Sequence, residues 1–170
     1  SEMCIRDRSE LAHYYQSCSR IDRGLARLVE ILKEADLYDK TMIVFTADHG
    51  MAFPGGKTTV YEGGLRVPFV VRNPYESNRG VKSNAMISHI DITPSLLDFA
   101  GGLDATKNRP KAWKPFKEPE RPKGAPKDNY GRPPASYHGK SWVSILGKPD
   151  ATHWETIFAS HTFHEIQMYY

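Results

Sequence analysis

The side chains best placed to do chemistry stand where a buried strand should end. Thr41-Met42-Ile43-Val44-Phe45-Thr46 is β-branched and almost wholly apolar, the pattern of a strand covered on both faces in a parallel sheet. Ala47-Asp48-His49-Gly50 comes next, and strand C-termini are where open α/β sheets hold ligands. Asp48 and His49 both favour hard or borderline cations. Neighbours in an extended chain point to opposite faces, so both reach one ion only where the backbone turns, and Gly50 permits a turn. The same tripeptide also suits an aspartate capping its loop beside a surface histidine, so both readings stay open at this point.

A second candidate lies a few residues on. In Pro54-Gly55-Gly56-Lys57-Thr58-Thr59-Val60-Tyr61-Glu62-Gly63-Gly64-Leu65-Arg66-Val67-Pro68, glycines flank a lysine, which lets backbone N–H groups and an ammonium crowd one tetrahedral oxyanion. A phosphate loop is excluded: the Gly-x-x-x-x-Gly-Lys-Ser/Thr spacing is absent before Lys57, and no helix is expected after it. Read alone, Lys57 is equally a solvated loop lysine.

Several elements must position these groups. From Leu11 to Ala35 apolar residues recur at helical spacing, with Cys18, Ile21, Leu25, Leu28 and Leu32 on one stripe, which predicts an amphipathic helix. The preceding octapeptide Ser1–Arg8 mixes four charges with no apolar period and is set aside as a junction. Val67-Pro68-Phe69-Val70-Val71 predicts a second short strand in the same sheet, ending before Asn73-Pro74. In Asp91–Gly101, Thr93 suits an N-cap, Pro94 the first helical position and Gly101 a left-handed stop. Prolines between about Lys107 and Pro134 forbid any long regular element, and order is expected to resume near Tyr137, ahead of Trp142 and Trp154.

Composition narrows the class. A chain of 170 residues with 39% hydrophobic residues can build a core. Its formal charge of +3 is concentrated between Lys107 and Arg132. Glu118, Glu120 and Asp128 interrupt that basic stretch, so a solvated loop is favoured over a nucleic-acid-binding tail. No apolar run approaches the roughly 20 residues that cross a bilayer, so no membrane partner is expected. Two cysteines, Cys4 and Cys18, cannot make a disulfide framework.

Three ordered segments carry a family resemblance. Thr46–Gly50, Gly56–Pro68 and His89-Ile90-Asp91-Ile92-Thr93-Pro94-Ser95-Leu96-Leu97-Asp98 resemble the later part of a sulfatase catalytic domain, in the alkaline-phosphatase superfamily. Residues 158–170 further resemble the heparan N-sulfatase group. The resemblance implies an α/β fold, part of an alkaline-phosphatase-like sandwich with a mainly parallel central sheet, with a loop-rich C-terminal segment after it. The expected divisions are residues 1–8, the junction; 9–104, the C-terminal half of the catalytic domain; 105–136, a Pro/Lys-rich loop or linker; and 137–170, the start of a C-terminal subdomain.

By the same resemblance, Asp48 and His49 are two ligands of a divalent cation, usually calcium, although many members carry Asn where His49 stands. Lys57 is the catalytic group on the sulfate, and His164 and Glu165 hydrogen-bond a neighbouring sugar. The nucleophile, a formylglycine made within a Cys/Ser-x-Pro/Ala-x-Arg motif, is expected upstream, because neither Cys4 nor Cys18 has that context; these residues alone are expected not to turn over. The implied partners are a sulfated small molecule or glycan and no nucleic acid, with a periplasmic or extracellular location. Weighed against this are a metallophosphohydrolase of the same superfamily and a non-catalytic polyanion-binding remnant.

Overall fold

The computed structural model describes residues 2–111 and 136–160. Among these the regular elements, in chain order, are α1 (Glu2–Glu34), β1 (Ile43–Thr46), α2 (Glu62–Leu65), β2 (Phe69–Arg72), α3 (Ile92–Phe99), β3 (Leu103–Asp104) and β4 (Arg109–Pro110). Single 3-10 turns occupy Tyr38–Lys40, His89–Asp91 and Val143–Ile145. This mixture of helix and small sheet agrees with the expected α/β class. Among the described residues no helix is long and apolar enough to cross a membrane.

The chain forms two compact units, residues 1–44 with 71–75 and residues 45–70 with 76–170. In the first, α1 begins at Glu2 rather than near Leu11. A period of apolar residues marks only the face a helix can bury, and a helix once nucleated extends into flanking residues that tolerate the conformation, one hydrogen bond per residue. The apolar stripe is largely uncovered: Leu25 and Leu32 are half-buried, while Cys18, Ile21 and Leu28 are exposed. After α1 the chain reverses through Asp36, whose φ of 55° is left-handed.

Arg72 fixes the entry to β1. Its Nη1 donates to the carbonyls of Tyr38 at 2.6 Å and Thr41 at 3.2 Å. Its Nη2 reaches Asp39 Oδ1 at 3.0 Å, and the guanidinium lies 3.5 Å above the Tyr38 ring. The planar fork thus joins two carbonyls, a carboxylate and an aromatic face. Asp39 is too exposed for that ion pair to contribute much.

β1 and β2 pair in one two-stranded sheet, as expected, over slightly shorter spans. The expected burial on both faces is not reached. All four β1 residues are half-buried and Val70 is 60% exposed, because two strands cannot shield both faces of their own ribbon.

In the second unit, α3 starts earlier than Thr93 suggests. Ser88 and Asp91 make a reciprocal capping box around the turn His89–Asp91, and the helix continues from Ile92. Thr93 is an exposed residue inside α3, and Gly101 supplies the left-handed stop with φ of 70°. β3 and β4 form a two-residue antiparallel ladder, Leu103 opposite Pro110 and Asp104 opposite Arg109. Asn108 then ties this hairpin to the returning chain: its Nδ2 donates to Tyr137 O and Gly139 O, and its carbonyl accepts from Tyr137 N. Tyr137 and Gly139 are therefore held by a specific clamp.

The core of this unit is the α3–Trp142 contact. Trp142 is buried, its ring packs edge-on against Phe69 at 5.8 Å, and its backbone N–H donates to the buried Ser95 hydroxyl at 2.9 Å. Ser95 Oγ in turn donates to Asp91 O at 2.6 Å.

Candidate active site

β1 delivers Asp48 and His49 just beyond its end, and the backbone does turn there. Gly50 is needed for a reason other than free torsions: a Cβ at that position would lie 1.7 Å from the Gly63 carbonyl oxygen. Gly50 N donates to Gly64 O at 3.0 Å, so the strand exit is stitched to α2. Gly64 is equally constrained, since its Cβ would meet Thr59 O at 2.3 Å. Three stretches of backbone thus approach as closely as only glycine allows.

The loop between them is held as tightly. Lys57 N donates to Met51 O at 2.8 Å and Gly56 N to Phe53 O at 2.9 Å. The Thr59 hydroxyl donates to Gly55 O at 3.1 Å and Gly56 O at 2.7 Å. Gly55 takes a left-handed φ of 80°, and so does Thr58 at 66°. Left-handed backbone is uncommon for a β-branched residue and is the kind of outlier that gathers at functional loops. The short helix α2, unexpected from the sequence, comes directly after this loop and tolerates two glycines because close backbone contacts hold both Gly63 and Gly64.

Within this frame Asp48 and His49 converge. His49 Nδ1 lies 2.8 Å from Gly50 O, and a carbonyl can only accept, so Nδ1 carries the proton. In the neutral ring Nε2 then bears a lone pair, and it stands 3.5 Å from Asp48 Oδ2. Asp48 Oδ1 accepts from His49 N at 3.0 Å. Two electron-pair donors at that 3.5 Å spacing suit a shared proton or one cation held at roughly 2.0–2.5 Å from each. The Asp48 side chain is 86% exposed, so its remaining lone pairs face outward. Among the described residues no group of three or more His, Cys, Asp or Glu could hold a metal.

Lys57 is exposed on the same stitched loop, with no carboxylate pairing its ammonium among the described residues. His89, to which sequence reasoning assigns no role, approaches the strand end, its Nε2 3.5 Å from Thr46 Oγ1. His164 and Glu165 lie outside the described residues.

Asp91 sits in a different setting. It is fully buried and accepts from Ser88 N at 2.8 Å and Trp154 Nε1 at 2.9 Å through Oδ2, and from Lys140 N at 2.9 Å through Oδ1. A Cβ on Gly139 would lie 2.1 Å from Ile90 O, so the returning chain touches the turn backbone to backbone.

Relatives of known type share these segments. The family model described as Sulfatase matches residues 2–102. Human N-sulphoglucosamine sulphohydrolase is 29% identical over 164 residues, 96% of this chain but 28% of that protein. The ulvan-active sulfatase of Formosa agariphila is 41% identical over 93 residues, 54% of this chain and 18% of that protein. Arylsulfatase K of Gallus gallus is 37% identical over 93 residues, 52% of this chain and 17% of that protein. The chain therefore spans less than a third of the length of these curated relatives.

Proposed function

The chain belongs to the sulfatase family, and from that premise we propose that the complete protein hydrolyses sulfate esters or sulfamates, with sulfated saccharides as the substrate class. The observation that carries the reading is the glycine-stitched loop, which holds an outward carboxylate–imidazole pair and an exposed lysine on one frame. Sulfatases generally use a divalent metal and a formylglycine. We assign Asp48 and His49 as two metal ligands, with calcium as the ion, because Asp48 supplies the hard oxygen that calcium favours. The 3.5 Å separation and the engaged Nδ1 fit a shared divalent ion, with the His49 nitrogen the softer of the two ligands. The metal would supply Lewis-acid stabilisation of negative charge on the sulfate oxygens. The formylglycine would supply the nucleophile from outside these residues.

This chain's own residues then have separable tasks. Asp48 contributes charge, and the Gly50 carbonyl fixes the tautomer that turns His49 Nε2 toward Asp48. Lys57 is the catalytic and sulfate-binding cation, acting on charge that builds on the sulfate oxygens. His164 and Glu165 are read as sugar-binding groups that set specificity. The fold reading that accompanies this is an alkaline-phosphatase-like sandwich in which β1 and β2 are part of a larger, mainly parallel sheet. A periplasmic or extracellular setting suits a polysulfated glycan substrate.

The metallophosphohydrolase alternative uses a similar strand-end Asp-His-Gly, and one experiment separates the two readings. In the complete enzyme, Lys57→Ala should lower kcat/KM about a hundredfold for aryl sulfate and sugar sulfate alike. Alanine at Glu165 should weaken only the sugar substrate. Undiminished sulfate hydrolysis by Lys57→Ala, or turnover of phosphate esters in place of sulfates, would defeat the assignment.

A further inference from the structure

The buried cluster around Asp91 uses none of the residues assigned to the proposed active site, and its behaviour does not depend on the sulfohydrolase reading. The His153 side chain is 3% exposed, and its Nε2 stands 3.4 Å from Asp91 Oδ2 without the alignment of a hydrogen bond. Asp91 has already engaged both carboxylate oxygens with the N–H groups of Ser88, Lys140 and Trp154. The Lys140 ammonium donates to His153's own carbonyl and sits 4.1 Å over the Trp154 ring. Next to it the chain makes an isolated antiparallel bridge, Met86 with Trp154. Asp98 on α3 is engaged by Ser141 Oγ at 2.6 Å. Among the described residues the charged groups facing the imidazole are thus Asp91 from the 3-10 turn and Lys140 from the returning chain.

We propose that Asp91 and His153 form a proton-controlled clasp, which holds residues 139–154 against the turn and α3 while His153 is neutral and releases them when it is charged.

An added proton would find little to stabilise it here. An imidazolium in this position is shut off from water, faces an ammonium, and finds its one carboxylate already saturated with donors. Burial is the largest influence and pushes His153 below the ordinary histidine value; the charge of Lys140 acts in the same direction, while Asp91 and the Lys140 backbone oppose without prevailing. In the released form the ring is solvated and titrates near the ordinary value of 6.5. The released form therefore binds the proton more tightly. The clasp's stability is complete above that value and is lost as pH falls below it.

Backbone hydrogen exchange in the complete protein, followed from about pH 7.5 to about pH 5 and corrected for intrinsic chemistry, tests this directly. Protection of the Lys140, Trp142 and Trp154 amides should fall by up to about tenfold per pH unit below roughly 6.5. His153→Gln should flatten that profile while leaving protection at the alkaline end near the wild-type level. Wild-type protection that stays level across the range, or an equal fall in His153→Gln, would overturn the clasp. Should the variant fail to fold, an NMR titration of the wild-type His153 ring decides: a value at or above the ordinary 6.5 refutes the proposal, and a value below it supports it.

Discussion

Asp48 and Asp91 lie in the same compact unit and in neighbouring motifs, yet their surroundings are opposite. Asp91 gives both oxygens to the N–H groups of Ser88, Lys140 and Trp154 and has no exposure at all. Asp48 accepts one backbone N–H and leaves the rest of its carboxylate outward. A saturated carboxylate organises the chain around it, whereas an unsaturated one remains able to take a ligand. The glycine-stitched loop makes the second condition possible, because backbone contacts rather than side-chain pairing hold it in shape. The aspartate proposed as a metal ligand is thus the one the fold leaves unsatisfied.

The largest expected effect breaks this comparison by making the same change at both sites. Asp91→Asn places an amide donor among three N–H donors in a buried setting. It should cost about 3 kcal/mol of stability, read as a lowered unfolding midpoint in denaturant. Asp48→Asn should change stability of the metal-free protein by less than about 0.5 kcal/mol, because the site is exposed. It should nevertheless remove bound divalent metal, measured by elemental analysis, together with sulfate hydrolysis. Equal stability losses at the two positions would show that the contrast in exposure does not separate their roles.

The next effect tests whether close backbone approach holds the open site. A methyl at Gly50 would meet a carbonyl oxygen of Gly63 at 1.7 Å, so Gly50→Ala must push the strand exit away from α2. The cost should be about 2 kcal/mol, with lost metal retention as the local readout. Gly24→Ala is the control, since nothing lies within 4 Å of a Cβ there and a helix interior favours alanine. It should raise stability by a few tenths of a kcal/mol.

The two regions also differ in how far the sequence reveals them. β1 is readable from Thr41–Thr46 because an unbroken β-branched and apolar run favours a strand even where it stays half-buried, and Gly101 is readable because a helix stop is a local event. Thr93 misplaces the start of α3, because Ser88 and Asp91 cap each other around a 3-10 turn. The clasp is illegible: Lys140 lies 49 residues and Trp154 63 residues from Asp91, across the proline-rich stretch, and nothing local marks a carboxylate as buried. Gly50 stands out in the sequence for its freedom to turn, but its role is contact, and only the fold reveals which backbone it must touch. Asp48, His49 and Lys57 are close in sequence, which is why the sequence alone offers them together as candidates. His164 and Glu165 fall outside the described residues.

The smallest expected effect sharpens the comparison at the loop itself. Thr58 holds a φ of 66° between two residues that cannot relax: Lys57 is tied to Met51, and Thr59 is tied to Gly55 and Gly56. Left-handed backbone costs a β-branched residue roughly 1 kcal/mol or more, while asparagine enters that region far more readily. Glycine would remove the strain too, but it would also enlarge the unfolded ensemble and cancel much of the gain. Thr58→Asn should therefore stabilise the protein by about 0.5 kcal/mol, visible as a small rise in unfolding midpoint. Thr58→Val, which keeps the branching, should not. Because the loop's hydrogen bonds come from its neighbours, metal retention should be unchanged in both variants. If Thr58→Asn were instead destabilising, the threonine side chain itself would be supporting the loop, and backbone contacts would no longer suffice to explain how the open site keeps its shape.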